Sequence, residues 1–424
     1  MKAAYYTLGC KVNQYDTQLM REQLEAAGYH TVPFNESADI YVVNTCTVTQ
    51  ISDKKSRQIT ARAKRLNPES ILVICGCFAQ VAPQAAAALK GADIIIGTSN
   101  RKDILAYIDQ FSKDRKQMVD VDNCGTLEQE EIHTFAEKTR AVLKIEDGCE
   151  NYCSYCLIPF ARGKIRSKPL EIIQKEASAL VKNGYREIVL TGIHLGSYGK
   201  ENGIPCLEKA IKAVANVQGI ERIRLGSLEP RIITEEFLNE IKDIPSLCHH
   251  FHLSLQSGCD KTLRAMNRHY SAEDYRQAVF LLRSTFEDCS ITTDIIVGFP
   301  GETQEDFEEC LRFADEIKFA KIHIFPYSAR EGTKAAKMPG QLTKSIKAER
   351  VKIMEKIEEK NRFDFWNKMI GTEQTIMPEE EKNGFIHGTT ANYCPVRWKG
   401  ALCKSPSIIK ITAKDSDGLI GEQI

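Results

Sequence analysis

Charge of neither sign is in surplus in this sequence: 57 basic side chains stand against 57 acidic ones, and the formal net charge is zero. A chain without a global field does not gather a polyanion by composition, so nucleic acid would have to be held by local patches. Long apolar runs are missing as well. Nowhere do the ~18 or more apolar residues needed to span a bilayer occur, and "MKAAYYTLGCKVNQYD" at the start lacks the apolar stretch of a secretion signal. No membrane partner is expected, and the expected location is cytoplasmic. Solenoid-period repeats and low-complexity tracts are also absent. Cysteine, by contrast, is plentiful, with fifteen in 424 residues. In a reducing compartment such thiols do not build a disulfide framework, which leaves metal or redox chemistry. The length implies two or three domains, because single cores stop growing well short of it.

Residues 1–112 alternate short β-branched runs with helical patterns: "AAYYTL", "DIYVVN", "SILVIC" and "ADIIIG" each precede a helix. That alternation predicts βαβ units and a parallel sheet covered on both faces. Cys10, Cys46 and Cys77 each fall at or just past the carboxyl end of a predicted strand, the edge where open α/β sheets bind ligands. The "ICGC" run offers Cys75 as well, and spacing does not choose between Cys75 and Cys77. A polar stretch over 113–138 reads as a linker. From 139 to 340 six further strands alternate with helices, from "AVLKIED" through "EIVLTGIHL", "RIRLGSL", "HHFHLSLQ" and "SITTDIIVGF" to "AKIHIFPYS". Six βα units predict a partial (βα)6 barrel of parallel strands with its chemistry at the carboxyl ends. A charged connecting helix over 341–370 and a small all-β module over 371–424 complete the chain. The expected fold class is thus α/β, with a parallel α/β sheet domain, a central partial barrel and a β module.

The loop after the first barrel strand reads "EDGCENYCSYCLIPFARGKIRSK" and holds Cys149, Cys153 and Cys156 in a C-x3-C-x2-C pattern. Thiolates are soft ligands for zinc or iron–sulfur clusters. A structural zinc site would take a fourth Cys or His from a second knuckle, and none exists; ferredoxin spacing is not matched either. Three ligands leave one metal position open, as a reactive site requires.

This pattern, with Tyr155 directly before Cys156, resembles the radical S-adenosylmethionine superfamily. There the open iron chelates the methionine moiety, and reductive cleavage gives a 5′-deoxyadenosyl radical. "GCKVNQYDT", "VVNTCTVT", "GCFAQ", "HLSLQSG" and "IIVGFPGET" extend the resemblance, over nearly the whole chain, to the methylthiotransferase family. Its members join a three-cysteine cluster domain, a radical barrel and a TRAM module that grips RNA. With Lys11 and Val12 after Cys10, the first motif looks most like the branch that acts on N(6)-threonylcarbamoyladenosine. The isopentenyladenosine branch more often has Gln-Met there, and the ribosomal-protein aspartate branch Pro-Lys.

The resemblance implies two [4Fe-4S] clusters, S-adenosyl-L-methionine, a tRNA anticodon stem-loop as partner and a small electron donor of flavodoxin or ferredoxin type. It assigns Cys10, Cys46 and Cys77 to the second cluster and leaves Cys75, where relatives more often have Thr, outside it. Tyr155, Thr191, Gly192, Glu229, Gln256 and Gly298, at barrel strand ends, are the expected cofactor contacts. Arg162, Lys164, Arg166 and Lys168, beside the radical cluster, are the expected phosphate contacts, and the basic "KKSRQITARAKR" helix offers a second patch. The rival from another class is a non-catalytic iron–sulfur or zinc protein that binds RNA or carries electrons.

Overall fold

The computed structural model describes residues 1–47, 50–121, 127, 131–135, 139–403 and 405–424, with the side chains of 50–54 also left aside. The sheet of the N-terminal region has six strands in the order His30–Thr31, Lys2–Thr7, Ile40–Thr45, Ile71–Gly76, Ile94–Ile96 and Met118–Asp120, all parallel. Alternation along the strands divides two apolar layers. Ala3, Val42, Val73 and Cys75 face one layer of helices, and Ala4, Val43, Leu72 and Ile74 the other. The sixth strand lies inside the stretch expected to be a linker, and Ile132 and Phe135, further along it, are buried in the barrel core. The linker expectation therefore holds for neither place. The rest of 113–138 lies partly outside the described residues.

The barrel strands run in two hydrogen-bonded halves. Arg140–Lys144, Glu187–Thr191 and Arg222–Leu225 form one, and His250–His252, Ser290–Val297 and Lys321–Pro326 the other. Parallel bridges at Ile223–Leu247 and Leu228–Leu253 join them into a six-strand arc. Among the described residues no further strand closes the arc. The helix Lys11–Ala26 of the N-terminal region packs along the first barrel strand and lends Tyr15 and Leu19 to the barrel core. The 26-residue helix Lys344–Met369 packs along the last strand, so its free edge is covered. Charged as this connecting helix is, Met354 joins the barrel core, and Trp366 and Met369 join that of the C-terminal module.

The C-terminal module is a closed barrel of five strands around Trp398, Ile376, Ile386 and Ile409. Its 389–393 turn seals the amino-terminal end of the larger barrel. Arg222 and Arg224 donate to the carbonyls of Thr389 and Ala391, and Ser290 Oγ donates to Asn392 O at 2.6 Å. Among the described residues no helix is long and apolar enough to cross a membrane.

Candidate functional site

Strand register assembles the N-terminal thiols. Thr7 pairs with Asn44, and Thr45 with Gly76. Continuing each strand past these pairs sets Gly9 beside Cys46, and Cys46 beside Cys77. The contact is close: a Cβ on Gly9 would lie 2.9 Å from Cys46 Sγ, and Gly9 has φ +102°, so only glycine fits. Asn13 pins the rim by donating to Leu8 O at 2.7 Å and Thr45 O at 3.0 Å. Cys75 belongs elsewhere. It points into the apolar layer, fully buried with its sulfur 4.0 Å from Met20 Sδ, because a strand residue in line with Val73 faces the helices, whereas Cys77 has left the strand past Gly76 and opens the helix Cys77–Val81.

The C-x3-C-x2-C loop is held at both ends by a small hairpin, in which Glu146 pairs with Ser167 and Asp147 with Arg166. Within it, Cys149 N–H donates to Gly163 O and Cys156 N–H to Cys153 O. Donors face the sulfurs: Arg268 Nη1 lies 3.1 Å from Cys153 Sγ, and Ile158 N–H 3.4 Å from Cys156 Sγ. Burial pushes the Cys149 and Cys156 thiols up to about 12. Such thiols ionise only with compensating positive charge, which a cluster iron supplies together with these donors. The donor set therefore fits an iron–sulfur cluster with three protein ligands.

One side chain ties the segment after the cysteine loop to the N-terminal thiols. Arg162, expected on RNA, is instead wholly buried: Nε lies 3.4 Å from Cys77 Sγ, Nη1 2.9 Å from Asp16 and 3.0 Å from Asp147, and Nη2 2.5 Å from Asn13 Oδ1. Lys144 and Arg101 complete the cluster at 2.7 Å and 2.6 Å from Asp16. Burial alone would raise the Asp16 and Asp147 carboxyls, but the surrounding guanidinium and ammonium groups hold both below the ordinary range. Lys168 is buried too, donating to Tyr15 Oη at 2.8 Å and pairing with Glu176 at 2.5 Å. Arg162 and Lys168 therefore cannot touch phosphate; they bond the N-terminal region to the barrel. Arg166 is half-buried, donating to Arg162 O, and Lys164 alone of the four is exposed. On the second basic helix, Lys64 pairs with Asp93 at 2.7 Å, Arg57, Arg62 and Arg65 line a surface hollow, and the Lys54 side chain lies outside the described residues.

The expected cofactor residues share the rim that bears the cysteine loop, but three are already engaged. A Cβ on Gly192 would come 2.4 Å from Glu146 Oε2, so this glycine makes room for a carboxyl. Glu146 accepts from His194 N–H at 2.8 Å, and burial raises it well above its usual range. Glu229 accepts from Asn151 (2.8 Å) and Arg268 (2.6 Å) and lies 3.1 Å from His194. Although burial opposes ionisation, these partners hold it down at about 2. Gly298 N–H donates to Glu302 at 2.7 Å. Thr191 is buried beside Gly226, Gln256 adopts φ +67°, and Tyr155 packs edge-on against Phe299. Arg268 lies in no motif, and Glu146 and Asn151, though inside the cysteine loop, are singled out only by their contacts.

Residues 2–97 match the uncharacterized protein family UPF0004, and residues 143–314 the Radical SAM superfamily. The chain is 39% identical over 418 residues to the threonylcarbamoyladenosine tRNA methylthiotransferase MtaB of Bacillus subtilis, covering 96% of this chain and 92% of that one. The Aquifex aeolicus protein of the same name is 39% identical over 405 residues, covering 94% and 97%. A tRNA-2-methylthio-N(6)-dimethylallyladenosine synthase of Pelotomaculum thermopropionicum is 32% identical, covering 95% and 93%. In fold, the chain is similar to the radical S-adenosylmethionine methyltransferase TsrM of Kitasatospora setae, with TM-score 0.58 and 14% identity over 79% of this chain and 77% of that one.

Proposed function

We propose a substrate and a division of labour for this chain, which belongs to the radical S-adenosylmethionine tRNA methylthiotransferases. It transfers a methylthio group to C2 of N(6)-threonylcarbamoyladenosine in tRNA. The observation that carries this is 39% identity over nearly the whole chain to enzymes of that name, and it is supported by the contact of Arg162, on the segment that follows the C-x3-C-x2-C loop, with Cys77. Cys149, Cys153 and Cys156 would hold the [4Fe-4S] cluster that binds S-adenosylmethionine. Cys10, Cys46 and Cys77 would hold a second.

An aromatic C–H is beyond any side-chain base, whose tuning covers a few pKa units. The clusters with S-adenosylmethionine supply radical chemistry instead. The protein's own residues do the rest. Arg162 and its carboxylates lock the two rims in register, and Arg268 orients Cys153 and Glu229 together. Exposed Lys164 and half-buried Arg166 remain the candidates for phosphate near the loop, the C-terminal barrel would grip the RNA stem, and a small flavodoxin- or ferredoxin-type protein would deliver electrons. Nucleoside mass spectrometry of tRNA from cells lacking the protein tests the substrate. The unmethylthiolated base should accumulate, and an unchanged profile would refute the reading.

A further inference from the structure

The barrel interior, the helix Lys344–Met369 and the C-terminal module together line an open-sided cavity of about 640 Å³, within the usual range for small-ligand sites. Lys11 lines it, next to Cys10 and at the start of the helix that packs along the first barrel strand. Its side chain thus reaches the cavity from the rim that bears the N-terminal thiols. Among the described residues, no hydrogen bond or ion pair engages its ammonium group. At the sealed end, Arg140, Arg222 and Arg224 converge on Glu187 and Glu379, three guanidinium groups to two carboxylates, which leaves one positive charge over. Arg224 stacks on Tyr393, part of the cavity wall, with 4.4 Å from its central carbon to the ring centre. The last three strands add His252, Asp294 and His323, whose polar atoms lie within 4.8 Å of one another.

These walls suit an anion that also carries hydrogen-bonding groups, and they do not suit a hydrocarbon. We infer that the cavity is the subsite for the N6 substituent of the target base, with Lys11 pairing to the carboxylate of a linked amino acid and the His252–Asp294–His323 set meeting its hydroxyl and urea groups. The inference rests on the threonylcarbamoyladenosine reading and deepens it by naming a specificity-determining residue. An isopentenyl group placed here would leave these polar groups desolvated and unpaired, the situation in which sites discriminate most strongly.

The test uses reconstituted full-length enzyme and anticodon stem-loops bearing N(6)-threonylcarbamoyladenosine, its carboxyl methyl ester or isopentenyladenosine, read by mass spectrometry as kcat/KM. Wild-type enzyme should favour the acid over the ester by about ten- to a hundredfold, the range of a charge-assisted hydrogen bond. Lys11→Met should bring the acid down to the level of the ester, chiefly through KM, and Lys11→Arg should keep the gap. Equal use of acid and ester by wild-type enzyme, or a gap that survives Lys11→Met, would overturn the subsite. If Lys11→Met loses iron, the wild-type acid-to-ester ratio decides alone. Activity on isopentenyladenosine with none on acid or ester would overturn the substrate reading itself.

Discussion

The two cysteine triads lie on rims joined through Arg162 but are built by different means. Cys149, Cys153 and Cys156 lie on a single loop stapled by the Glu146–Asp147 and Arg166–Ser167 strands, so their proximity is local. Cys10, Cys46 and Cys77 come from three strand ends, and they meet only because parallel pairing sets Thr7 by Asn44 and Thr45 by Gly76. A local site tolerates change elsewhere in the fold, whereas a register-built site depends on the whole sheet. Arg162 links them, rising from the local loop to Cys77 of the other triad.

The largest effects should come from separating the triads chemically. Cys156→Ala is expected to abolish release of 5′-deoxyadenosine, while Cys77→Ala abolishes methylthiolation and keeps that release. Iron should fall from about eight to about four per chain in each, if both clusters are cubanes. Loss of 5′-deoxyadenosine release in Cys77→Ala would break the division between the two.

Next in size is the link between them. Arg162→Met leaves Asp16 and Asp147 buried with less compensation, and denaturant unfolding should show a loss of about 3–5 kcal/mol. Lys164→Ala, two residues away and exposed, should change stability by no more than about 0.5 kcal/mol and weaken tRNA binding instead. Equal stability losses would show that burial does not separate their roles.

Neighbouring carboxyls offer a finer contrast. Asp16 and Asp147 are lowered in the fold, so the stability they contribute is complete above the ordinary value of about 4 and is lost as pH falls through the lowered values. Glu146 is raised, so its contribution is complete below about pH 4 and is lost as pH climbs through its raised value. Asp147→Asn should therefore cost about 3 kcal/mol at pH 7, while Glu146→Gln costs less than about 1 kcal/mol and flattens the decline of stability above pH 4. Stability curves across pH check both signs. Cys75→Ala should cost about 1 kcal/mol for a small buried side chain, with iron content unaltered.

Much of this was legible in the chain because it is written in short range. The spacing of Cys149, Cys153 and Cys156, the alternation of strands and helices, and the thiols at strand ends all follow from local pattern. So did the presence of six barrel strands and of an all-β tail. What misled was the basic "ARGKIRSK" run. Its charges read as a surface patch because composition reports charge and not its partner, and Asp16 lies far away in sequence. The stretch over 113–138 misled for a related reason: its polar character hid Met118–Asp120 and the anchors Ile132 and Phe135, which find their places only against distant strands.

The sequence by itself determined that Cys149, Cys153 and Cys156 form a three-thiol metal-binding pattern with one position open, since ligand type and spacing are local, and determined the class of each domain through periodicity. Tertiary structure set Cys75 in the apolar layer, where spacing had left it level with Cys77, because the pleat lines it up with Val73 while Cys77 opens the next helix. It alone buried Arg162 and Lys168 and left Lys164 in solvent, because ion pairing across a domain boundary depends on contacts between residues remote in the chain. And it alone brought Lys11 into a barrel that its own domain does not build.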